Sequence, residues 1–375
     1  MKPYLKHIIK ILVVTVFTIT LARVLVFIPL NFTIFSSANI QKIDQFDIYS
    51  DLMQKSGVKP FDNNIIVVTV PQNAGRMELA EALNMLAECN PAAVAVDIYL
   101  KGEADDFIDD MLVDAIKSND VVVFPAIYDK HKEINDSSLL EIKNCKVHKG
   151  YVSMENISTA YRHSFDKYRM VGNDTVYSLG LEALRLTYPE KIEKLKERHG
   201  KKELINFMMD IPSISYEDIP YMSDMITGRI VILGVNVNTN YNNASNYRLS
   251  DIMVHAYSVS TVFHECYIDR PANWLLQLCS IIIILLFIHC NIIFATKFSH
   301  VGGFFIRLLT YSLFFAMAIG SYLLFVKESL YIDCGQLLIA IAFAPWAQDI
   351  YKLLDVACTR TIKICKYIIN KKNKL

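Results

Sequence analysis

The sequence predicts an α/β fold: an extracytoplasmic domain with a mainly parallel sheet flanked by helices, plus four transmembrane helices. Three observations predict it. Apolar residues, 53% of the 375, collect in runs at the two ends of the chain. Between Ile65 and Tyr128, continuous apolar stretches alternate with stretches of helical periodicity, the pattern of βαβ units. Lysine and arginine cluster beside the terminal runs, as they do on the cytoplasmic side of membrane spans.

The runs are Ile8–Leu30, Trp274–Ala295, Phe304–Val326 and Leu330–Ala347. A bilayer core takes about 20 apolar residues as a helix. The first three meet that length; the fourth is shorter but is followed by Trp346 and then by charge, an interfacial pattern. Ile8–Leu30 has a longer apolar core than a signal peptide, and no small-residue cleavage pattern follows Leu30, so it reads as an uncleaved anchor.

Lys2 and Lys6 precede the first run and Lys10 stands at its start, Lys297 lies between the second and third, and Arg360, Lys363, Lys366, Lys371, Lys372 and Lys374 follow the fourth. Both termini are therefore expected in the cytoplasm (1–7 and the basic tail 348–375), with residues 31–273 on the far side of the membrane. The chain is neutral overall, with 38 basic and 38 acidic residues, but residues 31–273 hold 24 basic and 34 acidic ones. That acidic exterior argues against nucleic acid as a partner.

Within the outer segment, IIVVTV (Ile65–Val70) reads as a strand buried on both faces. A helix follows from Arg76, with Leu79, Ala82, Leu83 and Leu86 on one stripe, stopped by Asn90 and Pro91. Ala92–Leu100 is a second strand with Asp97 inside it, Phe107–Ile116 a second helix, and Val121–Tyr128 a third strand. Further on, strands are predicted over Gly150–Ser153, Leu204–Met209 and Arg229–Val235, with helices over Val176–Tyr188 and His255–Cys266. The stretch PEKIEKLKERHGKK reads as a charged, exposed continuation of the Val176–Tyr188 helix.

Of eight cysteines only Cys89, Cys145 and Cys266 fall in the outer segment, an odd number without CxxC spacing, so neither a disulfide framework nor a metal site is expected. No nucleophile elbow and no dinucleotide or phosphate loop occurs, and no cofactor or catalytic residue is assigned. Asp97 is the first ligand-binding candidate, because ligands of parallel sheets bind beyond the C-terminal strand ends; a carboxylate bonding loop amides is the bland reading. Asn236, just past Arg229–Val235, is a second, and a turn residue otherwise. His255 at a helix start is a third, and more often a histidine satisfied by its surroundings. Arg76, opening a helix where backbone donors already favour anions, is a fourth; a surface ion pair is the commoner outcome.

The order of these elements resembles the type 2 CHASE domain, a sensory module associated with cyclases and histidine kinases. NNIIVVTV, RMELAEALNMLAECNPAAVAVDIYL, DVVVFPAIY, KGYVS, YRMVG with SLGLEALRL, ITGRIVILG and IMVHAYSVSTVFHECYIDRP are similar to the family's motifs and stand in the family's order. One span before the domain and three after it is also the family's plan. Two stretches depart from it. VNVNTNYNNASNYRLSD lacks the family's Thr-Pro pair, and Asp251, Ile252 and Met253 stand where it places a glycine.

The resemblance implies a multi-pass protein of the bacterial inner membrane whose domain recognises a stimulus in the periplasm or outside the cell. Only 28 residues follow Ala347, too few for a catalytic domain, so the output is expected from a trans-acting kinase, cyclase or other regulator. A homodimer is expected by analogy. The alternatives are an extracytoplasmic hydrolase or transferase using Asp97 and His255, and an envelope scaffold.

Overall fold

A computed structural model describes residues 3–27, 59–102, 105–128, 145–152, 164–235, 251–297 and 302–372, with 46, 48–50, 52, 139 and 143. The chain divides into two units, one of residues 42–268 and one of residues 1–41 with 269–375.

In the first unit the elements run β1 (Ile65–Val70), α2 (Arg76–Cys89), β2 (Ala93–Asp97), α3 (Asp106–Lys117), β3 (Val122–Ala126) and β4 (His148–Tyr151), after α1 (Pro3–Phe27) of the other unit. Next come the short strands β5 (Ser164–Asp166), β6 (Arg169–Val171) and β7 (Asp174–Val176), then α4 (Leu179–Thr187), α5 (Pro189–Glu197), β8 (Lys202–Leu204) and β9 (Ser213–Ser215). The unit closes with α6 (Ser223–Ile226), β10 (Ile230–Val235) and α7 (Asp251–Phe263).

The expected mainly parallel sheet is present. Its order is β4-β3-β2-β10-β1-β9, and every neighbouring pair is parallel. The continuous β-branched runs of β1 and β10 are interior strands, since a parallel sheet covered on both faces needs strands apolar on both sides. Ile66, Val68, Val70, Val94, Val96, Val231 and Leu233 pack with Leu79, Leu83 and Leu86 of α2 and Leu112 and Ile116 of α3. Since successive strand residues point to opposite faces, Ile65, Val67, Ala95, Asp97, Ile232 and Gly234 belong to the other face, where α4 and α7 pack.

Three predicted elements differ. Leu204–Met209 is a strand only at its start: Lys202–Leu204 pairs antiparallel with β5. Beyond it, side chains serve the backbone. Thr261 Oγ1 accepts the Asn206 amide at 2.9 Å, and Asn206 Oδ1 accepts the Met208 amide at 2.9 Å, which takes the place of ladder bonds. The Val176–Tyr188 helix begins only at Leu179, because 174–176 pairs with 169–171 as a small hairpin. Its charged continuation is a separate helix, since Tyr188 has φ −134° and Pro189 starts α5, and proline suits a first helical turn.

The second unit contains α1, α8 (Asn273–Lys297), α9 (Gly302–Glu328) and α10 (Gly335–Lys372). Among the described residues three helical stretches are long and apolar enough to cross a membrane: Asn273–Phe294, Gly303–Glu328 and Gly335–Leu354. The first expected span falls on α1, a 25-residue helix, and its last residues, 28–30, lie outside the described ones. The fourth apolar run starts its helix at Gly335 rather than Leu330. Leu330 and Tyr331 are drawn into a bridge with Asp269, where the Tyr331 amide donates to the Asp269 carbonyl at 2.9 Å, and Asp333 Oδ1 accepts the Gly335 amide at 3.2 Å. The helix then runs 38 residues through Pro345, about 57 Å at 1.5 Å per residue. Val14, Ile284, Ile288, Ile292, Leu337, Ile341 and Ala344 form the apolar interior of this unit.

Candidate functional site

The C-terminal edge of a parallel sheet is where its loops and helix N-termini converge. Asp97 is the last residue of β2 and lies beside Gly234 of β10 in register. A side chain at Gly234 would stand 3.2 Å from Asp97 Cβ and 3.0 Å from Ile252 Cδ1. Glycine here lets α7 and Asp97 close over the edge of β10. Asp97 thus sits on the face covered by α4 and α7, half-buried.

His255 is one turn further along α7 and is buried. It backs onto α4: a Cβ at Gly180 would be 3.2 Å from the His255 carbonyl, 3.6 Å from its Cβ and 2.6 Å from Val259 Cγ2. The structure therefore brings Asp97 and His255 to the same face of the sheet, with His255 in the α4–α7 seam. Asn236 and the rest of 236–250 lie outside the described residues.

Arg76 opens α2 after β1, and its guanidinium is engaged by the chain itself. It pairs with Asp109, whose side chain is fully buried, and donates to the carbonyls of Lys101 at 2.8 Å and Gly102 at 2.6 Å. The planar fork of arginine suits such divergent acceptors. Arg76 ties the β2–α3 loop to the start of α2, so one wall of this edge is fixed. Glu78 Oε2 accepts the Gly75 amide at 2.8 Å, half of a capping box that sets the first turn of α2.

Sequence reasoning missed a second constellation, at the opposite end of the sheet. Asp62, three residues before β1, is fully buried. Its Oδ1 accepts the amides of Asn64 at 2.8 Å and Ile65 at 3.2 Å. Its Oδ2 accepts the Ser260 hydroxyl at 2.6 Å and lies 3.2 Å from His264 Nε2. Burial alone raises a carboxyl pKa, but His264, Ser260 and the Asn64 amide outweigh it and hold Asp62 below the usual carboxylate range. Ser, His and Asp meet here with the carboxylate in the middle. The serine donates to the aspartate rather than to the imidazole, so this arrangement does not prime a nucleophile.

The same end fixes the exit of α7. The Glu265 amide bonds the Val262 carbonyl at 3.2 Å and the Cys266 amide the Thr261 carbonyl at 3.1 Å, with Glu265 at φ 54°: a Schellman stop. Glu265 receives Lys191 at 2.7 Å and Lys194 at 2.8 Å, and those two hydrogen bonds pull its carboxyl down to about 2. Asn206 Nδ2 donates to the Cys266 carbonyl at 2.8 Å, and the Arg198 guanidinium stacks 4.1 Å from the Tyr267 ring. Ser260 and His264, four residues apart within the predicted His255–Cys266 helix, were the available signal; Asp62, in a polar turn, gave none.

Among the described residues no group of three His, Cys, Asp or Glu side chains could hold a metal ion. Cys89, Cys145 and Cys266 are unbridged.

Residues 22–295 match the model of the CHASE2 domain. No curated protein and no solved structure matches the chain.

Proposed function

The chain belongs to the CHASE2 domain family, and from that premise we propose that it is a membrane-anchored sensor whose α/β domain recognises a stimulus outside the cytoplasm and signals through a partner protein. CHASE2 is an extracytoplasmic sensory domain, and apolar helices follow it in this chain. The observation that carries the reading is covalent. α7 covers the face bearing Asp97, and its well-fixed C-terminal end leads through residues 264–272 into α8. A change at the sheet edge that shifts α7 is then delivered to a membrane helix. In this reading Asp97, His255 and Asn236 line the stimulus site, and Arg76 holds the loop beside it. The membrane is the bacterial inner membrane, and the partner is a kinase, cyclase or other regulator reached from the cytoplasm.

Topology tests the arrangement this function requires. Phe107, 74% exposed at the start of α3, and Val356, 52% exposed on α10 beyond the Gly335–Leu354 stretch, are each replaced by cysteine in the full chain. Intact cells are then treated with a membrane-impermeant maleimide, with the unsubstituted chain as baseline. The proposal expects labelling at 107 in intact cells and at 356 only after lysis. Labelling of 356 in intact cells overturns it.

A further inference from the structure

We infer that the proton is a stimulus this domain reads, and that His264 against Asp62 is the place where it is read; the inference rests on the sensor reading above. Histidine is the side chain whose charge normally changes between about pH 5 and 8. His264 follows directly on the last residue of α7, at the negative end of the helix dipole. Its Nε2 is buried and faces Asp62 Oδ2 at 3.2 Å. Protonated, it completes an ion pair with a carboxylate that Ser260 and two amides already hold ionised. Neutral, it loses that attraction, and in the Nδ1–H tautomer two lone pairs confront each other across the same gap.

Other titratable and charged groups face the pair from α7, α5 and the segment before β9. On α7 and its exit, burial pushes the Tyr257 hydroxyl up to about 12 and the Cys266 thiol up to about 11. Glu265 is held down near 2 by Lys191 and Lys194 of α5. Ser260, Thr261 and the Phe263 ring, edge-on to the imidazole at 5.0 Å from Tyr188 and 5.1 Å from His264, do not titrate. From the segment before β9, the Asp210 carbonyl accepts the Asp62 amide at 2.9 Å, and its charge faces Lys59 and Tyr257. Lys59 is lowered by burial, with Asp210 opposing, and donates to the Phe207 carbonyl at 2.9 Å. The imidazole, the side-chain type whose charge normally changes in this range, lies where the chain leaves the domain for α8.

The test is hydrogen exchange on the full chain in lipid nanodiscs at about pH 5 and about pH 8, corrected for intrinsic exchange, read on peptides covering 257–272. The α7 exit is expected to open about two- to fivefold more at the higher pH, the range of a cation at a helix C-terminus. His264→Gln, neutral at both values, and Asp62→Asn each abolish the difference. Equal opening at both values in the unsubstituted chain, or a difference surviving in both variants, overturns the inference. A ring signal from isotope-labelled His264 gives a readout free of substitutions: it titrates in step with the α7 amides, and a ring of constant charge overturns the inference as well. An exit that opens with pH, in a chain that engages no partner at either value, sinks the sensor reading and leaves the proton site standing. A pH-insensitive exit in a chain that still answers another stimulus sinks the proton site alone.

Discussion

Ser260 donates its hydroxyl to the buried carboxylate of Asp62 at 2.6 Å, across 198 residues of sequence. This bond joins the last turns of α7 to the entry of β1. Ser260→Ala removes one of several partners and is expected to cost about 1–2 kcal/mol. Asp62→Ala strands the buried donors Ser260 and the Asn64 and Ile65 amides, and is expected to cost about 3 kcal/mol.

The same carboxylate sets an acid limit. Its folded pKa is depressed, so its contribution is present above the unfolded value of about 3.9 and is lost as pH falls through the folded one. Denaturant titrations at stepped pH are expected to show this acid loss in the unsubstituted chain, and a smaller one in Asp62→Asn.

That pair also marks what the sequence could not convey. The interior strands β1 and β10 were legible because they are continuous β-branched runs, and α2 because its leucines recur at helical spacing. β9 was not: Ser213–Ser215 is three residues beside Pro212, too short for any period to register. Asp97 and His255 were visible as polar residues in apolar settings, whereas Asp62 sits among Asn63 and Asn64 and looks like an ordinary turn. Its burial depends on α7 folding back over it, information that is tertiary. Arg76 was legible as a cation at a helix start, but its partner Asp109 lies 33 residues on, and nothing in the sequence marks the two as neighbours.

Two glycines separate a backbone clash from a side-chain one. A Cβ at Gly150 would stand 2.5 Å from Leu179 Cα and 2.8 Å from its amide nitrogen, whereas at Gly180 the nearest atom is Val259 Cγ2 at 2.6 Å. Gly180→Ala is expected to cost about 1–3 kcal/mol as α4 and α7 move apart, and Gly150→Ala more, because the start of α4 itself must shift. Thermal unfolding of the two variants checks the order.

Arg76 neutralises a carboxylate that is wholly buried. Arg76→Ala is expected to cost about 3–5 kcal/mol, since it takes the guanidinium away from a wholly buried carboxylate. Adding Asp109→Asn is expected to restore a large part of it. A double-mutant cycle by denaturant unfolding measures the coupling; additive losses contradict the pairing.

In the membrane unit, Asn291 of α8 is fully buried, and neither amide atom has a hydrogen-bond partner among the described residues. Asn291→Leu removes that unmet demand at similar volume and is expected to raise stability by about 1–3 kcal/mol. Unfolding of the full chain in mixed micelles reads the change, and a loss of stability contradicts the assignment of Asn291 to an apolar interior.

The central claim, an extracytoplasmic sensor that signals through a partner, is tested most directly by purifying the full chain from its own host in mild detergent and quantifying what accompanies it by mass spectrometry. The account predicts a stoichiometric regulator, a kinase or cyclase among the classes expected, that is lost when residues 355–372 of α10 are replaced. Recovery of the chain alone, or with envelope structural proteins only, contradicts it.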